Sequence, residues 1–147
     1  MAITSNAICN SFKQELLQAE HDFDTSGAGG NKFKLALYQN TAVIGKSTTS
    51  YTTGGEASSS SGGYSAGGKA LVNTGTSLSV NTAITNYSNL SFTGVTLTAR
   101  GALIYNTSNA NAAVCVLDFG GDKTATAGTF TVQFPAYTST AAILRIS

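Results

Sequence analysis

Three carboxylates and an imidazole fall close together at Glu20, His21, Asp22 and Asp24. Oxygen and imidazole donors at that density suit a divalent cation. The stretch lacks the glycine-containing spacing of a calcium loop, and no further ligand can be identified. A solvated helix end accounts for the cluster equally well. His21 is the only histidine, so any Ser-His-Asp or Cys-His chemistry must use it. Cys9 precedes it on the apolar face of an expected helix, a poor place for a nucleophile. No Gly-x-Ser-x-Gly elbow occurs. Glycoside cleavage needs two facing carboxylates, which would have to come from seven acids, and Glu56 stands in the Ser/Gly-rich loop.

Two short motifs imitate known sites. Gly63-Tyr64-Ser65-Ala66-Gly67-Gly68-Lys69-Ala70 has the spacing of a phosphate-binding loop, but Ala70 replaces the Ser or Thr that would hold magnesium. A strand is also expected after it, where that motif needs a helix. Asp118-Phe119-Gly120 spells a kinase metal-binding triplet without the rest of a kinase. Asp118 is better read as a hydrogen-bond acceptor for the turn Gly120-Gly121-Asp122. Arg100 lies within Thr98-Ala99-Arg100-Gly101-Ala102-Leu103-Ile104-Tyr105, an apolar strand. A charge there must be paired or must reach the surface. An ion pair to Asp118 or Asp122 on a neighbouring strand is the sharper expectation. No catalytic, cofactor-binding or metal-binding residue is assigned.

The elements that would position these groups follow from periodicity. Ile8, Phe12, Leu16 and Ala19 recur at helical spacing, with Cys9 and Leu17 beside them, and Thr4 or Ser5 is available as a cap. This predicts a helix within residues 1–24, followed by a glycine-rich connector over 25–31. The period then changes to two. Phe33, Leu35 and Leu37 face one way and Lys32, Lys34 and Tyr38 the other, a half-buried strand. Ala42 to Ile44 either starts a second strand or lines a turn. Residues 47–69 are rich in Ser, Thr and Gly, with almost no core-forming side chains apart from Tyr51 and Tyr64. Alone, such a segment buries too little to offset its ordering entropy. It is expected to be a long exposed loop or arm, one that an assembly could order by laying it across a neighbour. Further strands are expected at Ala70–Val72, Ser77–Val80, Leu90–Phe92, Thr96–Tyr105, Ala112–Phe119, Thr129–Phe134 and Ala142–Ile146. Gly75, Asn81, Gly94, Asn106 to Asn111, Gly120-Gly121 and Gly128 are expected to be the turns between them. The expected fold is all-β: an antiparallel β-sandwich or jelly-roll-like domain over 32–147 with one N-terminal helix, a single domain overall.

Composition restricts the function classes. Of 147 residues only 10% are charged and the formal net charge is +1, against roughly 25% charged in an ordinary soluble domain. No cluster of Lys and Arg suits a nucleic-acid backbone. No apolar run has the length of a membrane span, and the start lacks the pattern of a secretory signal, so neither membrane nor export is expected. Cys9 and Cys115 read as small buried hydrophobes, with a bridge between them as the alternative. A surface built from Ser, Thr, Asn and Gly suits permanent assembly.

The stretches Met1-Ala2-Ile3-Thr4-Ser5-Asn6-Ala7-Ile8-Cys9-Asn10-Ser11-Phe12-Lys13, Leu35-Ala36-Leu37-Tyr38, Thr98 to Asn106 and Val116-Leu117-Asp118-Phe119-Gly120-Gly121 resemble a family of small virion structural proteins of tailed bacteriophages. The family is chiefly one of phages of aquatic bacteria, cyanophages among them. The resemblance spans nearly the whole chain and implies a structural part of the virion. One role it implies is a capsid decoration or cement protein bridging major capsid subunits. The alternative is a tail, neck, baseplate or fibre component, with carbohydrate binding through Tyr51, Tyr64 and Tyr87 as its contact to a host. Other virion proteins, the major capsid protein first, and further copies of this chain are the expected partners. Docking is expected through Ile8, Phe12 and Leu16, then through the loop around Tyr51 and Tyr64.

Overall fold

Val95, Leu97 and Ala99 alternate with Thr96, Thr98 and Arg100, a pattern that lets one strand face be buried. The computed structural model describes residues 3–25 and 29–147 and places the first set in the core and the second half-exposed. Along the chain lie β1 (Ala7–Ile8), α1 (Asn10–Leu17), β2 (Phe33–Tyr38), β3 (Lys69–Ala70), β4 (Asn73–Ser79), β5 (Thr82–Tyr87), β6 (Leu90–Asn106), β7 (Ala112–Val132) and β8 (Leu144–Ile146). They form two antiparallel sheets, one ordered β1-β7-β6-β2-β3 and the other β4-β5-β8. The expectation of an all-β chain with one helix therefore stands.

The strands differ in detail from their sequence reading. Leu90–Phe92 and Thr96–Tyr105 are one strand, β6, and Ala112–Phe119 joins Thr129 in β7. Gly94 and Gly120 do not end strands. They sit at register shifts of the β6–β7 ladder with φ of 63° and 76°, the left-handed backbone that bulges place on glycine. The largest shift lies between Ala99↔Lys123 and Gly101↔Asp118, so Phe119 to Asp122 loop out opposite Arg100. β5 was not anticipated from the sequence. Ala42 to Ile44 line a turn, with Ala42 and Ile44 buried.

The helix is shorter than the predicted segment and starts later. Ala7 and Ile8 are taken into the sheet by pairing with Val116 and Cys115, so neither Thr4 nor Ser5 is the cap. Cys9 holds that position, and its side chain makes no capping hydrogen bond to the helix. The helix ends when Ala19 turns left-handed (φ 60°) and Glu20 N–H reaches back to the Glu15 carbonyl at 3.0 Å, the bond pattern that commonly closes helices. Residues 1–2 and 26–28 of the expected helix and connector lie outside the described residues.

Between α1, β2 and the smaller sheet runs a chain of rings. Phe12 meets Phe23 at 6.1 Å, Phe23 stacks on Phe33 at 4.8 Å, Phe33 meets Tyr87 at 5.9 Å and Tyr87 meets Phe134 at 5.6 Å. Each such side chain contributes about 1.5–3 kcal/mol through burial, and the rings tie both sheets and the helix into one core.

Both faces of β2 are covered. Tyr38, expected to face outward, is fully buried because the segment 47–69 folds back over it. That segment is irregular and largely exposed, but its anchors lie within the chain. Gln39 N–H bonds the Gly55 carbonyl, Ala57 N–H the Leu37 carbonyl, Tyr51 N–H the Asn111 carbonyl and Ser60 N–H the Thr96 carbonyl. The loop thus runs along the free edges of β2 and β6 and shields them from pairing with other chains. These bonds hold the segment against its own chain. Gly68 explains one glycine of the segment: its φ is +71°, and a Cβ there would strike the Leu35 carbonyl of β2.

Candidate assembly surface

The groups suited to chemistry are engaged in structural contacts. His21 is buried; its Nε2 lies 2.7 Å from Glu15 Oε2 and its Nδ1 3.1 Å from Asn106 Nδ2. The Asn106 amide nitrogen can only donate, so Nδ1 accepts and Nε2 carries the proton toward Glu15. Glu20 accepts from Asn109 at 3.2 Å, and Asp22 accepts the Asp24 N–H at 2.8 Å. These contacts occupy the side chains considered for a cation, and among the described residues no group of three or more His, Cys, Asp or Glu side chains is gathered to hold one.

Cys9 and Cys115 are both free and buried. Burial, with a smaller push from Glu15, raises the Cys9 thiol to about 11. Burial also raises Cys115, with Cys9 adding to it. Neither carries appreciable thiolate at neutral pH.

The loop that resembles a phosphate-binding motif is instead a strand entry. Lys69 Nζ donates to the Ser91 carbonyl at 2.9 Å, and Lys69 pairs with Leu35. Asp118 accepts from Arg100 Nε at 2.9 Å and from the Gly120 N–H at 2.9 Å. Both the expected ion pair and the expected turn contact are thus present. The Arg100 hydrogen bond and the Gly120 N–H hold the Asp118 carboxyl below its ordinary range.

Tyr51 and Tyr64 turn inward. Tyr51 donates to Glu56 Oε2 at 2.6 Å, and Tyr64 donates to Glu56 Oε1 at 2.7 Å. The Gly67 N–H donates to that same oxygen at 2.7 Å. Tyr64 Oη also accepts the Leu37 N–H at 2.9 Å, and Tyr51 stacks on Tyr105 at 4.9 Å. Burial pushes both phenols well above their usual range, and the Glu56 carboxylate adds to it. Tyr87, the third tyrosine considered for a glycan, is 2% exposed. These rings build the fold and present no stacking platform.

Ile8, Phe12 and Leu16 are brought together. The spacing of four puts Phe12 and Leu16 on one face of α1, and Ile8 extends that line from β1. Across from them stand Ala83, Thr85, Leu144 and Ile146 of the smaller sheet, and the two sides enclose a cleft of about 190 Å³. Arg145 is the one charged residue lining it. Phe12 forms the floor, whereas Ile8 is 38% exposed at the rim.

The sequence reading missed the surface beside this cleft. Leu78 (71% exposed), Val80 (86%) and Ile146 (60%) stand in solvent. From Ala70 to Ala99 no Asp, Glu, Lys or Arg occurs, so β4 and β5 carry no charge. That uncharged run is the signal that pointed here. Exposed apolar side chains grouped on an uncharged surface mark an interaction site.

Comparison with protein-family models, curated proteins and solved structures finds no match to this chain.

Proposed function

We propose that this chain is a structural subunit of a tailed-phage particle, a decoration or cement protein that stabilises the head by bridging capsid subunits. The observation that carries the assembly role is the apolar cleft between α1 and the smaller sheet. Ile8 and Leu16 stand on one side of it and Ile146 on the other, with the uncharged strands beside it. Burial of such a surface against a neighbour is favourable in proportion to the apolar area removed from water. The engagement of His21, Cys9, Glu56 and Asp118 in internal contacts supports an assembly role over a catalytic one. The inward turn of Tyr51, Tyr64 and Tyr87 supports head decoration over a glycan-contacting fibre. The assignment to a phage particle rests on the sequence resemblance.

The test is the amount of this protein in purified particles, measured by quantitative mass spectrometry. The expected result is a ratio near that of the major capsid protein. A small fraction of that ratio would indicate neck, baseplate or fibre, and absence from the particle would overturn the proposal. Ile8→Asp and Leu16→Asp, both at positions with solvent access, are expected to abolish rebinding to particles stripped of the protein.

A further inference from the structure

β4 is an edge strand of the smaller sheet. Its first part is covered, since Asn73 Nδ2 donates to the Phe23 carbonyl and Tyr137 donates to the Gly75 carbonyl. From Thr76 to Ser79 its outer edge has no partner among the described residues. The hairpin to β5 closes on Ser79↔Thr82 with Val80 and Asn81 as its loop. In such a two-residue hairpin the closing pair is hydrogen-bonded, and pairs alternate along the ladder. Leu78 and Thr76 therefore aim their N–H and C=O groups outward. Soluble proteins usually blunt such an edge with Lys, Pro or a bulge. Here Thr76-Ser77-Leu78-Ser79 has neither Lys nor Pro, and the register shift ends at Thr76.

We infer that the outer edge of β4 pairs antiparallel with β4 of a second copy, joining two three-stranded sheets into one of six. A twofold axis perpendicular to the sheet keeps the two faces continuous and sets Leu78 opposite Leu78 and Ser77 opposite Ser79. No charge lies in this stretch, so no like charges meet. Within one copy Leu78, Ala83 and Ile146 already form a row in register across the three strands, all exposed. Pairing at Leu78 joins two such rows end to end and withdraws Leu78 from water. A second copy fits better than an unrelated strand because an uncharged edge meets its own copy with no like charges opposed, and the register that sets Leu78 against Leu78 continues the exposed apolar row of each sheet. The inference deepens the assembly reading by naming one partner, and it does not depend on the kind of particle.

Sedimentation velocity of the full chain tests it. The wild type is expected to be a dimer at micromolar concentration. Leu78→Lys places two ammonium groups directly opposite one another and is expected to weaken the dimer about tenfold or more, with folding checked by circular dichroism. Leu78→Cys, in a chain whose own two cysteines are buried, is expected to form an inter-chain disulfide under mild oxidation. Val43→Cys, at a remote exposed position, is expected not to. A wild type that stays monomeric overturns the inference, as does a Leu78→Lys protein that still dimerises. Should the lysine variant fail to fold, the cysteine pair decides: no cross-link at Leu78 overturns the inference. Protection of the β4 amides only on adding particles would assign the edge to another protein and would also overturn it. Particle abundance is read separately, so loss of the virion role leaves this result standing.

Discussion

Tyr64 donates its hydroxyl hydrogen to Glu56 at 2.7 Å while accepting the Leu37 N–H at 2.9 Å. One phenol thereby links a loop carboxylate to the backbone of β2. Tyr51 and the Gly67 N–H complete the set around Glu56. The segment 47–69, which has almost no apolar side chains, is held by this half-buried carboxylate and by the edge bonds to β2 and β6.

Glu56→Ala is accordingly expected to destabilise the protein by about 3 kcal/mol, since hydrogen bonds to a charged group are worth about 1.5–3 kcal/mol and their donors are left partly buried. Tyr64→Phe is expected to cost about 1 kcal/mol. Urea denaturation measures both. A Glu56→Ala protein as stable as the wild type would mean that the edge bonds alone hold the loop.

The Arg100–Asp118 pair predicts an acid dependence. The pair is partly exposed, at 25% and 11% for the two side chains. Folding lowers the Asp118 carboxyl from its ordinary 3.8. Stability from the pair is therefore present above that ordinary value and is lost as pH falls below it, through the depressed folded value. Asp118→Asn is expected to flatten this part of the acid limb in thermal melts and to leave the alkaline limb unchanged. An acid limb identical to that of the wild type would contradict the pairing.

Tyr87 offers the opposite case. Its ring is buried among Phe33 and Phe134, yet its hydroxyl has no hydrogen-bond partner among the described residues. A buried polar atom left unsatisfied is unfavourable, so removing it costs little. Tyr87→Phe is expected to be neutral or stabilising by up to about 1 kcal/mol in urea denaturation. A loss above about 1 kcal/mol would show that the hydroxyl is satisfied in solution.

Much of the local structure was legible in the residues. The period-two run from Phe33 to Tyr38, the helical spacing of Phe12 and Leu16, and the need of Arg100 for an acidic partner all follow from chemistry that nearby sequence carries. A charge inside an apolar strand requires a counter-charge, and Asp118 was among the few acids available. Tertiary structure decided the rest. Gly94 and Gly120 are equally suited to a turn or a bulge, and only the partner strand of the β6–β7 ladder selects the bulge. Tyr38 would face water on an isolated strand; it is buried because residues distant in sequence fold over it. The same applies to Tyr51 and Tyr64, whose direction depends on where Glu56 comes to rest. Leu78, Ala83 and Ile146 are exposed because no described residue packs over that end of the smaller sheet. Strand order depends on long-range pairing, and the alternation along one strand determines which residues share a face without determining what that face meets.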